Sequence, residues 1–206
     1  MPNLNLYVDA KFLSPYAMSA FVALSEKELA FFITPIDISA GSNHEANYAT
    51  ASITSRVPTL IHDDFALSES SAIDEYIDEV FSGVQLFPKS VQYRARARQV
   101  QAWLHSDLMP IRQERSTEIV FCKLTDIPLS TIAQYALEKL FFVADILLIP
   151  NSENLFGEWC IADVDMALML NRLVQNGDVV PERLDSYAKR QWQRPSVQFW
   201  INQKRT

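Results

Sequence analysis

Residues 56–73 read RVPTLIHDDFALSESSAI. Two short β-type runs, Val57-Pro58-Thr59-Leu60-Ile61 and Phe65-Ala66-Leu67, flank His62-Asp63-Asp64, which predicts a β-hairpin with an acidic turn. A proline entering a β-run invites a cis peptide and leaves the N–H and C=O of the preceding residue, Val57, outside the ladder. Beyond the hairpin, Ser68 to Phe81 takes helical period through Ile73, Ile77 and Phe81. Glu69-Ser70-Ser71 therefore stands at a helix start.

Upstream, Leu4 to Val8 alternates apolar and polar residues as a strand does. Ser14 then sits at an N-cap with Pro15 at the first helical position, opening a helix over Tyr16 to Lys27 with Met18, Phe21, Val22 and Leu24 at helical spacing. Leu29 to Ile38, rich in aromatic and β-branched residues, reads as a second strand, and Ser39 to Thr54 as a polar segment holding a short irregular helix. The order is β-α-β-α-β-β-α. Downstream of Gly83 the composition changes: Phe87-Pro88 closes a short linker, and everything after it reads helical. Ala97, Val100, Leu104, Leu108 and Ile111 are spaced as on one long helix from Ser90 to about Phe121, with a kink expected at Pro110. Pro128 to Leu148, Ile161 to Val174, Arg183 to Trp192 and Pro195 to Lys204 supply four more helices.

Composition removes several function classes. The chain has 206 residues, 49% hydrophobic and 21% charged, which is the make-up of a globular protein and not of a disordered one. A net charge of -7 provides no global positive field for nucleic acid or anionic lipid. Only four glycines occur, at 41, 83, 157 and 177, too dispersed for either a dinucleotide fingerprint or a P-loop. Cys122 and Cys160 form no metal-ligand spacing and read as buried reduced thiols, so no metal is expected. MPNLNLYVDA lacks a basic region followed by an apolar one, and the greasy stretch Leu140 to Ile149 is broken by Asp145. The expectation is a cytoplasmic protein without membrane or nucleic-acid partners.

Three places carry chemistry. A hydroxyl at the opening of a helix, as at Ser14, lies in the positive potential of unpaired N–H groups and favours anions. The Val57-Pro58 edge can hold a peptide by strand addition. Ser70 at a helix start can bind a carboxylate while Glu69 takes an ammonium group. Read singly, each is equally an ordinary structural device: an N-cap serine, a strand-starting proline, a solvated cap. Together they describe a site for a small zwitterionic peptide. Arg94, Arg96 and Arg98, with Arg112 returning to their face on an unbroken helix, read as a solvated or subunit-facing stripe.

With SPY at 14–16, RVPTL at 56–60, DDFALSESSAI at 63–73, FGEWCIAD at 156–163 and RPSV at 194–197, the sequence resembles the glutathione S-transferase superfamily over nearly its whole length, and in particular a bacterial cytosolic member of the serine type. The resemblance implies the glutathione S-transferase fold: an α/β thioredoxin-like N-terminal domain over 1–83, a linker over 84–89 and an all-α C-terminal helical domain over 90–206. It implies glutathione as cosubstrate, with Ser14 as the catalytic residue bonding its sulfur, Val57 before a cis Pro58 pairing with its cysteinyl backbone, and Glu69 and Ser70 holding its γ-glutamyl end. His44 falls near where relatives contact the glycyl carboxylate, and Tyr16, Trp103 and Arg112 fall toward a second substrate, a small electrophile, peroxide or disulfide. A homodimer is implied as well. Asp163 matches the buried acid that caps a core helix in the family, a folding role; Cys160 stands where relatives have Ser or Thr in that capping box, and Glu28 where they have the glycine that ends the first helix. The expected activity is that of a glutathione transferase that activates the glutathione thiol for attack on electrophilic or peroxide substrates. Its alternatives are a glutathione-dependent disulfide or peroxide reductase with little conjugating activity, and a binding module of this fold without catalysis.

Overall fold

The computed structural model describes residues 3–205. The chain forms two compact units, one of residues up to Leu86 together with those from Ser196 onward, the other of Phe87–Pro195.

The first unit is built on a four-stranded sheet. Its strands are β1 (Leu4–Asp9), β2 (Phe32–Ile36), β3 (Thr59–His62) and β4 (Phe65–Ser68), in the order β2-β1-β3-β4. β1 runs parallel to β2 and antiparallel to β3, and β3 antiparallel to β4. The parallel pair needs a crossover, supplied by α1 (Pro15–Glu26), whose Met18, Phe21, Val22 and Leu24 are buried as their spacing predicts. A 3-10 turn at Ser42–His44 and α2 (Ala46–Ala51) fill the segment before β3, and α3 (Ser70–Val80) follows β4 and packs on α1. β3 and β4 meet through a two-residue turn, Asp63-Asp64, with Asp63 left-handed at φ 53. The order is the one the sequence predicts.

Polar groups tie the two packed helices together. Ser19 on α1 donates to buried Asp74 on α3 at 3.1 Å. At their C-terminal ends Lys27 Nζ lies 3.0 Å from Asp78 Oδ1 and donates to the Phe81 carbonyl at 2.8 Å, while that carboxylate oxygen accepts the Leu86 N–H at 2.9 Å. Both side chains are out of water, where an ion pair is tolerated because its remaining hydrogen-bonding capacity is used. Glu28 takes φ 54, with Leu29 N–H bonded to Leu24 C=O and Glu28 N–H to Ser25 C=O. This double pattern is the Schellman ending that a glycine normally makes, formed by a residue with a Cβ.

The second unit is helical. Its elements are α4 (Val91–Ser106), α5 (Met109–Glu114), α6 (Thr117–Phe121), α7 (Thr131–Leu147), α8 (Ile161–Val174) and α9 (Glu182–Trp192). α8 is buried along most of its length and packs against α4 and α9. The expected single helix from Ser90 to Phe121 is three. Ala97, Val100, Leu104, Leu108 and Ile111 are all buried, so the spacing finds the core, yet the helix stops at Ser106. Asp107 turns extended and Leu108 left-handed at φ 61; Asp107 accepts from Leu108 N–H at 2.7 Å and from the Trp103 indole at 2.9 Å, and pairs with Lys139 of α7. Pro110 then sits in the first turn of a new helix, where its missing N–H costs nothing. Cys160 is buried as expected, but Cys122, at the end of α6, is exposed, because that short helix lies at the surface there.

The stretch expected to be all-helical over 90–206 is helical to its last element. α10 (Pro195–Ile201) belongs with the first unit, where buried Trp200 packs against Phe12 at 5.3 Å and Phe21 at 5.4 Å between ring centroids. A tryptophan buries a large apolar surface, and here it anchors a seven-residue helix within its own unit.

Asp163, fully buried at the third position of α8, accepts from Leu155 N–H at 2.8 Å, Cys160 N–H at 2.9 Å and the Tyr187 hydroxyl at 2.8 Å. With the Cys160 sulfur facing the third N–H, this is a reciprocal capping box. Burial, against the pull of these donors, raises its pKa to about 6. The folded protein therefore keeps a proton that the unfolded chain releases near pH 4, so the contribution of this group is complete below about pH 4 and is lost as pH rises through about 6. In urea titrations across this range, the stability of the wild type relative to Asp163→Asn, which cannot ionise, should decline between those values and be flat above. Glu28→Gly should stabilise the protein by about 0.5–1 kcal/mol in the same assay, by removing a side chain from a left-handed position.

Candidate functional site

Strand register brings the three motifs to one end of the sheet. Tyr7 of β1 faces Thr59 of β3, and Thr59 faces Ser68 of β4, so these residues form one row across three strands. Beyond the row β1 leads to Ser14, β3 is entered from Val57-Pro58, and β4 leaves into Glu69-Ser70. At about 4.8 Å between neighbouring strands, the row spans roughly 10 Å. β2 ends there too, since Ile36 is the partner of Asp9, and it leads to the 3-10 turn carrying His44.

Ser14 caps α1 in an extended conformation and its Oγ accepts the Ala17 N–H at 3.2 Å. A hydroxyl that accepts one N–H keeps its own proton as a donor. Val57 precedes a cis peptide to Pro58, and the ladder starts only at Thr59, so the Val57 backbone is not consumed by sheet pairing. Glu69 is exposed and adopts φ 76, ψ 117, a region almost reserved for glycine, at the N-cap of α3. Strain of this kind persists where the surroundings impose it and is common at ligand clamps. Ser70 follows, buried, on the first turn of α3.

Two supports went unread in the sequence. The Arg56 carbonyl, just ahead of Val57, accepts from the hydroxyls of Tyr48 at 2.6 Å, Thr59 at 3.1 Å and Ser52 at 3.2 Å. Burial raises the pKa of the Tyr48 hydroxyl, keeping it a neutral donor. Asp9, at the end of β1, accepts from Leu13 N–H at 2.7 Å and Ser14 N–H at 2.9 Å. Neither was visible as a motif, because their partners are loop backbone atoms positioned by the fold.

The remaining sequence-derived candidates separate. His44 is exposed and its ring Nε2 lies 3.2 Å from the Asn43 amide. Tyr16 is on the first turn of α1, half-buried. Trp103, on α4, lines a cavity of about 660 Å³ in the helical unit, with Val100, Val143, Leu147 and Phe156 among its walls and Arg96 at its polar side. Arg112 is on α5 and donates to the His105 carbonyl at 2.9 Å; it is not a wall of that cavity, and the face expected to join it to Arg94 and Arg98 is interrupted by the break at Asp107. Among the described residues no group of His, Cys, Asp or Glu side chains is placed to hold a metal ion, and no helix is long and apolar enough to cross a membrane.

Two family models match the chain. One described as glutathione S-transferase, N-terminal domain, matches residues 6–79, and one described as glutathione S-transferase, C-terminal domain, matches residues 90–205. The chain belongs to the glutathione S-transferase family. Its fold superposes on a crystal structure of a glutathione transferase homologue from Burkholderia gl BGR1 with bound glutathione, at TM-score 0.81 and 45% identity, covering 100% of this chain and 99% of that one. It is also 27% identical over 198 residues to a glutathione S-transferase of Hyoscyamus muticus, covering 91% of this chain and 87% of that protein. With glutathione S-transferase 3 of Zea mays it shares 26% identity over 167 residues, or 76% and 73% of the two chains.

Proposed function

We propose that the row Tyr7-Thr59-Ser68 organises a glutathione site in which the Ser14 hydroxyl donates to the sulfur. As a member of the family the protein is a glutathione transferase with glutathione as its cosubstrate. The Val57 backbone pairs with the cysteinyl part of the tripeptide, Glu69 takes the α-ammonium, Ser70 and the start of α3 take the α-carboxylate, and His44 reaches the glycyl end. The single observation that carries this reading is the register, which delivers a hydroxyl donor, an unpaired backbone edge and a carboxylate-serine pair to the same end of one sheet.

The chemistry asked of Ser14 is modest. A free thiol has a pKa near 8.5, and bringing it to about 6.5 takes roughly 2.7 kcal/mol. A hydrogen bond to a charged acceptor supplies about 1.5–3 kcal/mol, and a helix N-terminus up to ~1 kcal/mol more. The thiolate sulfur then bonds to an electrophilic carbon, whose leaving group departs with the electron pair. The second substrate is a small electrophile or peroxide, and of the candidates for it Trp103 has the support of its place in an apolar cavity wall of the helical unit. The protein acts as a homodimer in the cytoplasm, a location in keeping with two cysteines that are free.

Ser14→Ala should raise the pKa of the bound glutathione thiol by about one to two units, read from thiolate absorbance against pH. Turnover of chloronitrobenzene at a pH below the pKa of the bound thiol should fall roughly 10- to 150-fold, because less of the thiol is ionised there. An unchanged titration curve would leave Ser14 as a helix cap only. Glu69→Ala should weaken glutathione binding by about 1.5–3 kcal/mol in calorimetry with the fold intact; equal affinity in a folded variant removes Glu69 from the site.

A further inference from the structure

We infer that Asp9 is a positioning residue for thiol activation, acting through Ser14; this rests on the reading of Ser14 as the sulfur's donor. Asp9 closes β1, is 8% exposed, and spends both carboxylate oxygens on the loop that leads to α1: Oδ2 accepts Leu13 N–H at 2.7 Å and Oδ1 accepts Ser14 N–H at 2.9 Å. The same loop is pinned at its other points. Ala10 N–H bonds the Ile36 carbonyl, Phe12 N–H bonds the Asp9 carbonyl, and Phe12, left-handed at φ 52, is held by its ring against Trp200.

The donor arithmetic at this helix start explains why the carboxylate matters. Leu13 and Ser14 give their N–H groups to Asp9, Pro15 has none, and Ala17 gives its own to Ser14 Oγ. Asp9 thus fixes the backbone from which the Ser14 hydroxyl projects. Hydrogen bonds to a reacting atom must be held within about 0.5 Å to be effective. A one-oxygen change at Asp9 releases one of the two N–H groups and lets Ser14 drift.

Two roles of Asp9 predict opposite signs. If its only influence were its charge, removing a negative group close to a thiolate would lower the thiol pKa. If it positions Ser14, removing it raises that pKa. Asp9→Asn should raise the pKa of protein-bound glutathione by about one unit and lower kcat about tenfold at a pH below that pKa, with KM for glutathione within twofold of wild type. The double variant Asp9→Asn/Ser14→Ala should titrate like Ser14→Ala alone, since Asp9 acts through the hydroxyl. Should Asp9→Asn fail to fold, Asp9→Glu, which keeps charge and acceptors but displaces them by a methylene, carries the same expectations.

A thiol pKa in the Asp9 variant equal to or below wild type, while Ser14→Ala raises it, overturns the inference and leaves the Ser14 reading standing. Additive shifts in the double variant overturn it as well. An unshifted pKa in Ser14→Ala removes both.

Discussion

The pairing of β3 with β1 on one side and β4 on the other is the constraint from which the rest follows. Because side chains alternate with a period of two, slipping β3 by one residue would turn Leu60 out of the core. It would also move Val57 away from the loop after β1 and from the start of α3. Burial of Leu4, Leu6 and Leu60 holds the register, so the apolar core and the position of the polar site are one choice.

In both units the loops are shaped by polar groups that each gather several hydrogen-bond partners. Asp9 holds two N–H groups, the Arg56 carbonyl gathers three hydroxyls, and Asp163 gathers two N–H groups and the Tyr187 hydroxyl. In the helical unit, buried Arg115 donates through Nε and Nη2 to both oxygens of Asp178, at 2.6 and 2.8 Å, and its own carbonyl accepts from Arg172. An unsatisfied buried polar group costs about 1–3 kcal/mol, so each hub converts a loop with many conformations into one with few.

The proposed chemistry uses this rigidity by dividing labour. In the proposed site, affinity comes from the Val57 edge against the cysteinyl backbone and from the Glu69-Ser70 pair at the γ-glutamyl end. Thiolate stabilisation comes from one hydroxyl at the mouth of α1. Separating the two lets the site bind its cosubstrate strongly and still confine the pKa change to the reacting atom, which is where stabilisation raises the rate. Trp200 connects the end of the chain to this arrangement, since its ring supports both Phe12 in the Ser14 loop and Phe21 on α1.

The amino-acid pattern by itself determined the order of elements in the first unit, the hairpin, the cap at Ser14 with Pro15 behind it, and the buried positions Ala97, Val100, Leu104, Leu108 and Ile111. These are legible because periodicity, caps and turns depend on residues a few positions apart. It also carried the motifs of the candidate site, SPY, RVPTL and LSESSAI. Tertiary structure alone decided the break after Ser106, which needs Lys139 from another helix beside Asp107, the return of α10 to the first unit through Trp200, and the exposure of Cys122. It likewise decided the roles of Asp9 and Tyr48. A carboxylate or phenol is recognisable as a hub only when the backbone groups it must satisfy have been brought within 3 Å, and which groups those are is set by chain folding over distances that no local pattern encodes.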